Sequence, residues 1–136
     1  MSWAGKVGIL SKLGSLLGKR KQAPSITDSA VAQAVSRWVA GRGYLLPEGN
    51  PTDVARRMGI TSAQLFRYCI EEKGEDFRTW RTRLRIEEAK KQLLSEPGVP
   101  VSIIARRVGI NDRSNFSRLF RDHIGMLPSQ WREKNL

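Results

Sequence analysis

Apolar side chains recur along most of the chain at three- and four-residue spacing, and no β-branched run alternates with polar residues. That pattern predicts helices and no strands, an all-α fold. Val31, Val35, Trp38 and Val39 mark the inner face of a helix over about 28–41, with Thr27 or Asp28 as its cap. Gly41, Gly43 and the stretch Pro47-Glu48-Gly49-Asn50-Pro51 then read as loop. Thr52 is placed to cap a short helix over 53–58, and a second short helix starts near Ser62 and runs to about Lys73. A longer helix begins at Asp76 and passes through Phe77, Trp80, Leu84, Ala89 and Leu93 until Pro97-Gly98 stops it. Ser102 is placed to cap a helix to Val108, and Asn111 or Asp112 one to about His123. Pro128 opens a last short helix that carries Trp131.

Part of this pattern occurs twice. Val54-Ala55-Arg56-Arg57-Met58-Gly59-Ile60 returns 50 residues later as Ile104-Ala105-Arg106-Arg107-Val108-Gly109-Ile110. Beyond Ile60 the offset becomes 51, so Leu65 answers Phe116, Arg67 answers Arg118, Gly74 answers Gly125 and Trp80 answers Trp131. One supersecondary unit has been built twice. Each copy has a short helix with a small residue (Ala55, Ala105), a glycine turn (Gly59, Gly109), an isoleucine to plug the angle (Ile60, Ile110), and a capped second helix. A helix-turn-helix needs this chemistry, because the small residue lets the helices cross closely and glycine supplies a positive φ.

The second helix of each copy has two sides. Leu65, Tyr68 and Cys69 share the inner face of one, and Phe116, Leu119, Phe120 and His123 that of the other. Opposite Leu65 lie Ala63 and Arg67, flanked by Gln64 and Phe66; opposite Phe116 lie Ser114 and Arg118, near Arg113, Asn115 and Ser117. Side chains on such a ridge, carried into a major groove, can bond base edges, with arginine to guanine the commonest contact. The alternative is that Arg67 and Arg118 are solvated surface residues. Amide groups at the helix starts, around Thr61, Ser62, Asn111 and Asp112, are candidates for holding phosphate, and Arg56 and Arg106 can add charge. The pairs Arg56-Arg57 and Arg106-Arg107 are equally consistent with a solvated helix face.

Charge points the same way. The 136 residues carry 24 Lys plus Arg against 13 Asp plus Glu, a formal +11, and 16 of the bases are Arg. Such an excess suits nucleic acid or an acidic membrane surface. Five of those charges (Lys6, Lys12, Lys19, Arg20, Lys21) fall in residues 1–24, where Trp3, Val7, Leu10, Leu13 and Leu17 recur at helical spacing. Residues 1–22 are therefore either a basic amphipathic helix for a membrane surface or partner, or a basic leader without that role. This gives the alternative reading of function. A single cysteine, Cys69, forbids an intramolecular disulfide and fits a cytoplasmic protein.

An enzyme is not indicated. His123, the only histidine, falls on an inward face, Cys69 has no histidine near it in sequence, and no Cys/His set has zinc spacing. No glycine-rich phosphate loop, cofactor motif or small-molecule site is identifiable.

The runs Ile103-Ile104-Ala105-Arg106-Arg107-Val108-Gly109-Ile110, Ser114-Asn115-Phe116-Ser117-Arg118-Leu119-Phe120-Arg121 and Gly125-Met126-Leu127-Pro128-Ser129-Gln130-Trp131-Arg132 closely resemble the AraC/XylS transcription regulators. Leu84-Arg85-Ile86-Glu87-Glu88-Ala89-Lys90 is similar to the start of that family's linker helix. The resemblance spans roughly residues 28–134. It implies a DNA-binding domain over 25–136 with seven helices. Two homeodomain-like helix-turn-helix subdomains, 52–75 and 101–124, would be joined by a linker helix over 76–95. Carried over, the base-reading residues are Ala63, Gln64 and Arg67 in the first copy and Arg113, Ser114, Ser117 and Arg118 in the second. The first copy departs from the family pattern, with Phe66 where serine is common and Glu75-Asp76-Phe77 in place of a small residue followed by proline. The implied partner is double-stranded DNA, with RNA polymerase as a further candidate. The expected site is two unlike half-sites in adjacent major-groove segments, about 34 Å apart.

Overall fold

A computed structural model describes residues 26–47 and 49–136. The expectations for residues 1–24 fall outside them. The described residues form seven α-helices and no strand. They are α1 (Ile26–Ala40), α2 (Pro51–Met58), α3 (Ser62–Tyr68), α4 (Phe77–Ser95), α5 (Val101–Arg107), α6 (Arg113–Ile124) and α7 (Pro128–Asn135). A 3-10 turn, Gly43–Leu45, follows α1, and a π-helical turn, Cys69–Lys73, continues α3.

Helix starts depart from the sequence expectation in three places. α1 begins at Ile26, so Thr27 and Asp28 lie inside its first turn rather than at its cap. α2 is capped by Asn50, whose side chain accepts from the Asp53 amide at 2.9 Å, and not by Thr52. Pro51 decides this, since its fixed φ and missing N–H suit the first helical position. α5 begins at Val101 behind Pro100, which places Ser102 in the first turn. Between Asn111 and Asp112 the structure selects Asp112, which accepts from the Ser114 amide at 3.0 Å.

The chain divides into two compact units. The first comprises, in its described part, residues 26–41 and 50–80. Its core holds Val31, Ala34, Val35, Val54, Ala55, Leu65 and Cys69, all buried. Trp38 stands 5.6 Å from Phe77 and 5.8 Å from Trp80, and Tyr68 is 6.4 Å from Trp80 by ring centroids, separations typical of favourable tilted pairs. Burial pushes the Cys69 thiol up to about 12, with the Lys73 charge opposing, so it is a protonated core thiol.

The second unit comprises residues 42–49 and 81–136. Ile86, Ala89 and Leu93 of α4 pack with Ile104, Ala105, Val108, Phe116 and Phe120, and Trp131 closes the side of this cluster. Three buried charged residues of α4 were not legible as core: Arg81, Arg85 and Glu88. All three hold the 42–49 segment. Arg85 donates from Nε to the Tyr44 carbonyl and from Nη2 to the Leu46 carbonyl, both at 2.6 Å. Arg81 donates to the Gly49 carbonyl at 2.7 Å, and Arg42, in left-handed conformation at φ 60°, pairs with Glu88 at 2.8 Å. Burial, with the nearby Arg81 charge, lowers Arg85 to about 10, and it remains a cation at neutral pH. Burial alone would raise the Glu88 carboxyl. Hydrogen bonds from Gln92 and Arg42, with the charges of Arg42 and Lys91, outweigh it and hold the group below the usual glutamate range.

Candidate nucleic-acid interface

The two copies of the repeat build the same turn. Ala55 and Ala105 of the first helices are buried, so a larger side chain at either would have to displace its neighbours. Gly59 and Gly109 follow with φ of 83° and 90°. The amides of Ile60 and Ile110 then reach back to the carbonyls of Ala55 and Ala105, at 3.0 and 2.9 Å. Each turn thus sets a second helix, α3 or α6, against the first, with Leu65 or Phe116 buried beneath it.

The outward ridges follow from that anchoring. On α3, Ala63 and Arg67 are exposed and Gln64 is half-buried. On α6, Arg113, Ser114 and Arg118 are exposed and Ser117 is half-buried. Arg67 and Arg118 occupy matched positions, and their side chains are 55% and 57% exposed.

Their surroundings differ. Arg67 is bracketed by two carboxylates: Nε donates to Glu71 at 3.2 Å, and Nη2 lies 3.3 Å from Asp28 of α1. Arg118 donates to the Asn115 side-chain carbonyl at 2.6 Å and lies 3.6 Å from Asp122. Glu71 is legible as a partner four residues on, but Asp28 is 39 residues away and gives no signal in sequence.

At the helix starts, the candidate phosphate groups are exposed but already bonded in part. The Thr61 amide donates to the Gln64 side chain at 2.9 Å, while the Thr61 hydroxyl accepts from the Gln64 amide at 3.1 Å. That reciprocal cap satisfies the helix start and turns Gln64 back along the chain. Ser62 and Asn111 are exposed, and Asp112 sets a carboxylate at the start of α6. Arg56 pairs with Asp53 at 3.0 Å, and Arg106 is exposed on α5.

Among the described residues, charge is divided unequally. Residues 26–41 and 50–80 hold six basic and six acidic side chains, whereas residues 42–49 and 81–136 hold thirteen against seven. Among the described residues no group of three or more His, Cys, Asp or Glu is placed to hold a metal ion. No described helix is long and apolar enough to cross a membrane.

This geometry has known counterparts. A family described as a helix-turn-helix domain matches residues 54–134. The uncharacterized transcriptional regulatory protein YesN of Bacillus subtilis is 40% identical over 65 residues, which are 47% of this chain and 18% of that protein. The arabinose operon regulatory protein of Escherichia coli is 33% identical over 79 residues, 58% of this chain and 27% of that one. This chain therefore spans well under a third of either relative's length. Among solved structures, the C-terminal domain of AraT, a response regulator from Geobacillus stearothermophilus, matches with a TM-score of 0.68 and 28% identity, covering 82% of this chain and 87% of that one.

Proposed function

Because the chain belongs to the AraC/XylS-type family of helix-turn-helix proteins, we propose that it is a transcription regulator that binds double-stranded DNA sequence-specifically. In this reading α3 and α6 each enter a major groove and present their outward ridges to base edges. One observation carries it: Arg67 and Arg118 stand exposed at the same position of two helix-turn-helix units, each helix anchored from beneath by a buried side chain. A guanidinium so placed can donate two parallel hydrogen bonds to guanine.

The two ridges are not copies. Ala63, Gln64 and Arg67 face Ser114, Asn115 and Arg118 across the repeat offset, with Arg113 added on α6. Two unlike half-sites follow, so the preferred DNA lacks two-fold symmetry. Phosphate contacts are assigned first to the second unit, to Arg106 and the helix start at Asn111 and Asp112, where the net charge is basic, and secondarily to Arg56, Thr61 and Ser62.

Selection of bound duplexes from a random pool tests the reading, and recovery of no preferred sequence would end it. On the selected duplex, Arg118→Ala is expected to cost about 1–3 kcal/mol and to relax preference at one position. An equal loss on random DNA would reassign Arg118 to phosphate.

A further inference from the structure

The outward ridge of α3 carries a side chain that the repeat does not explain. Phe66 is 61% exposed, on a helix where Ala63 and Arg67 are exposed with it. Its counterpart across the repeat is Ser117, and the counterpart of Ala63, three residues before Phe66, is Ser114. So α6 offers hydroxyls where α3 offers a methyl group and a phenyl ring.

The polar members of the α3 ridge are also engaged within the protein. Gln64 closes the helix cap, and Arg67 is held by Glu71 and Asp28. The described part of this unit carries no net charge. Beside Arg67, the ridge offers a base Ala63 and Phe66, one turn apart on one face. In a major groove, the apolar group on a base edge is the 5-methyl of thymine, and alanine and phenylalanine are side chains that contact it.

We propose that Phe66, with Ala63 beside it, is a specificity-determining residue that reads a thymine methyl group in the half-site of the first unit. The proposal rests on the DNA-reading function above. The first unit then adds an apolar contact to the arginine that both units present, where the second unit adds hydroxyls.

The test uses the full chain and its selected duplex, with each thymine replaced in turn by uracil, which removes only the methyl. At one thymine, wild-type protein should lose about fourfold in affinity, the factor that corresponds to burying one methyl-sized group. Phe66→Ala should bind the thymine duplex more weakly by a similar factor and no longer distinguish uracil there. Phe66→Leu should retain part of the preference. Circular dichroism should show both variants folded, as expected for an exposed position. Wild-type indifference to uracil at every position would overturn the proposal and leave sequence-specific binding intact. Discrimination that survives in Phe66→Ala would overturn it too, as would a variant altered only in self-association. A random pool that yields no preferred duplex would sink both readings together.

Discussion

Gly59 and Gly109 occupy the same turn of the repeat and differ in what surrounds them. Both have positive φ, so alanine at either is strained by about 1–2 kcal/mol. A Cβ on Gly59 would meet nothing within 4 Å, whereas one on Gly109 would fall 2.7 Å from the Leu45 carbonyl oxygen and 3.2 Å from the Arg85 guanidinium. Overpacking of that kind adds about 1–3 kcal/mol. Gly59→Ala is therefore expected to lower stability by about 1–2 kcal/mol, and Gly109→Ala by about 2–5 kcal/mol. Urea denaturation of the two variants measures the difference, and equal losses would show that the Gly109 crowding relaxes freely. From sequence the two glycines are indistinguishable, because both belong to the same seven-residue motif. The 42–49 segment and the Arg85 side chain against Gly109 separate them.

Among the elements, α4 is where the reading of the sequence was least complete. Its apolar stripe and its stop at Pro97 were visible, as were the periodic faces of α3 and α6, since burial on one side leaves a helical period in the sequence. Arg81, Arg85 and Glu88 were not, because a buried charged residue looks like a surface one until its partner is known. The partners of Arg85 lie 41 and 39 residues upstream. The cap of α6 was legible as a choice between Asn111 and Asp112, but that of α2 was not, because Pro51 puts Asn50 rather than Thr52 at the cap. At the recognition helices, the ridge positions followed from period alone, but the carboxylate from α1 beside Arg67 did not. Arg85 yields a further expectation. Its fork satisfies two carbonyls at once, which a lysine ammonium on a flexible stem does not reproduce. Arg85→Lys should lower stability by about 1.5–3 kcal/mol, the worth of one hydrogen bond to a charged group. A thermal melt that matches wild type would mean that water takes over the vacated carbonyl.

For the molecule as a whole, the basic excess sets how DNA affinity should respond to salt. Binding through phosphates releases counterions, and each contact contributes close to one to the slope of log affinity against log salt. Arg106→Gln should reduce that slope by about one. Arg56→Gln should change it little, because Arg56 is paired with Asp53 at 3.0 Å, among described residues of its unit that carry no net charge. Equal slopes for the two variants would place the phosphate contacts elsewhere. The loop caught by Arg85 has a different consequence, for biosynthesis. A ribosome makes residues 42–49 well before it makes Arg85, and the 35 intervening residues take about 2–7 s to polymerise. The nascent chain must carry that loop unclasped through the interval, and the C-terminal helix pair can lock only once its N-terminal strap has been waiting for it.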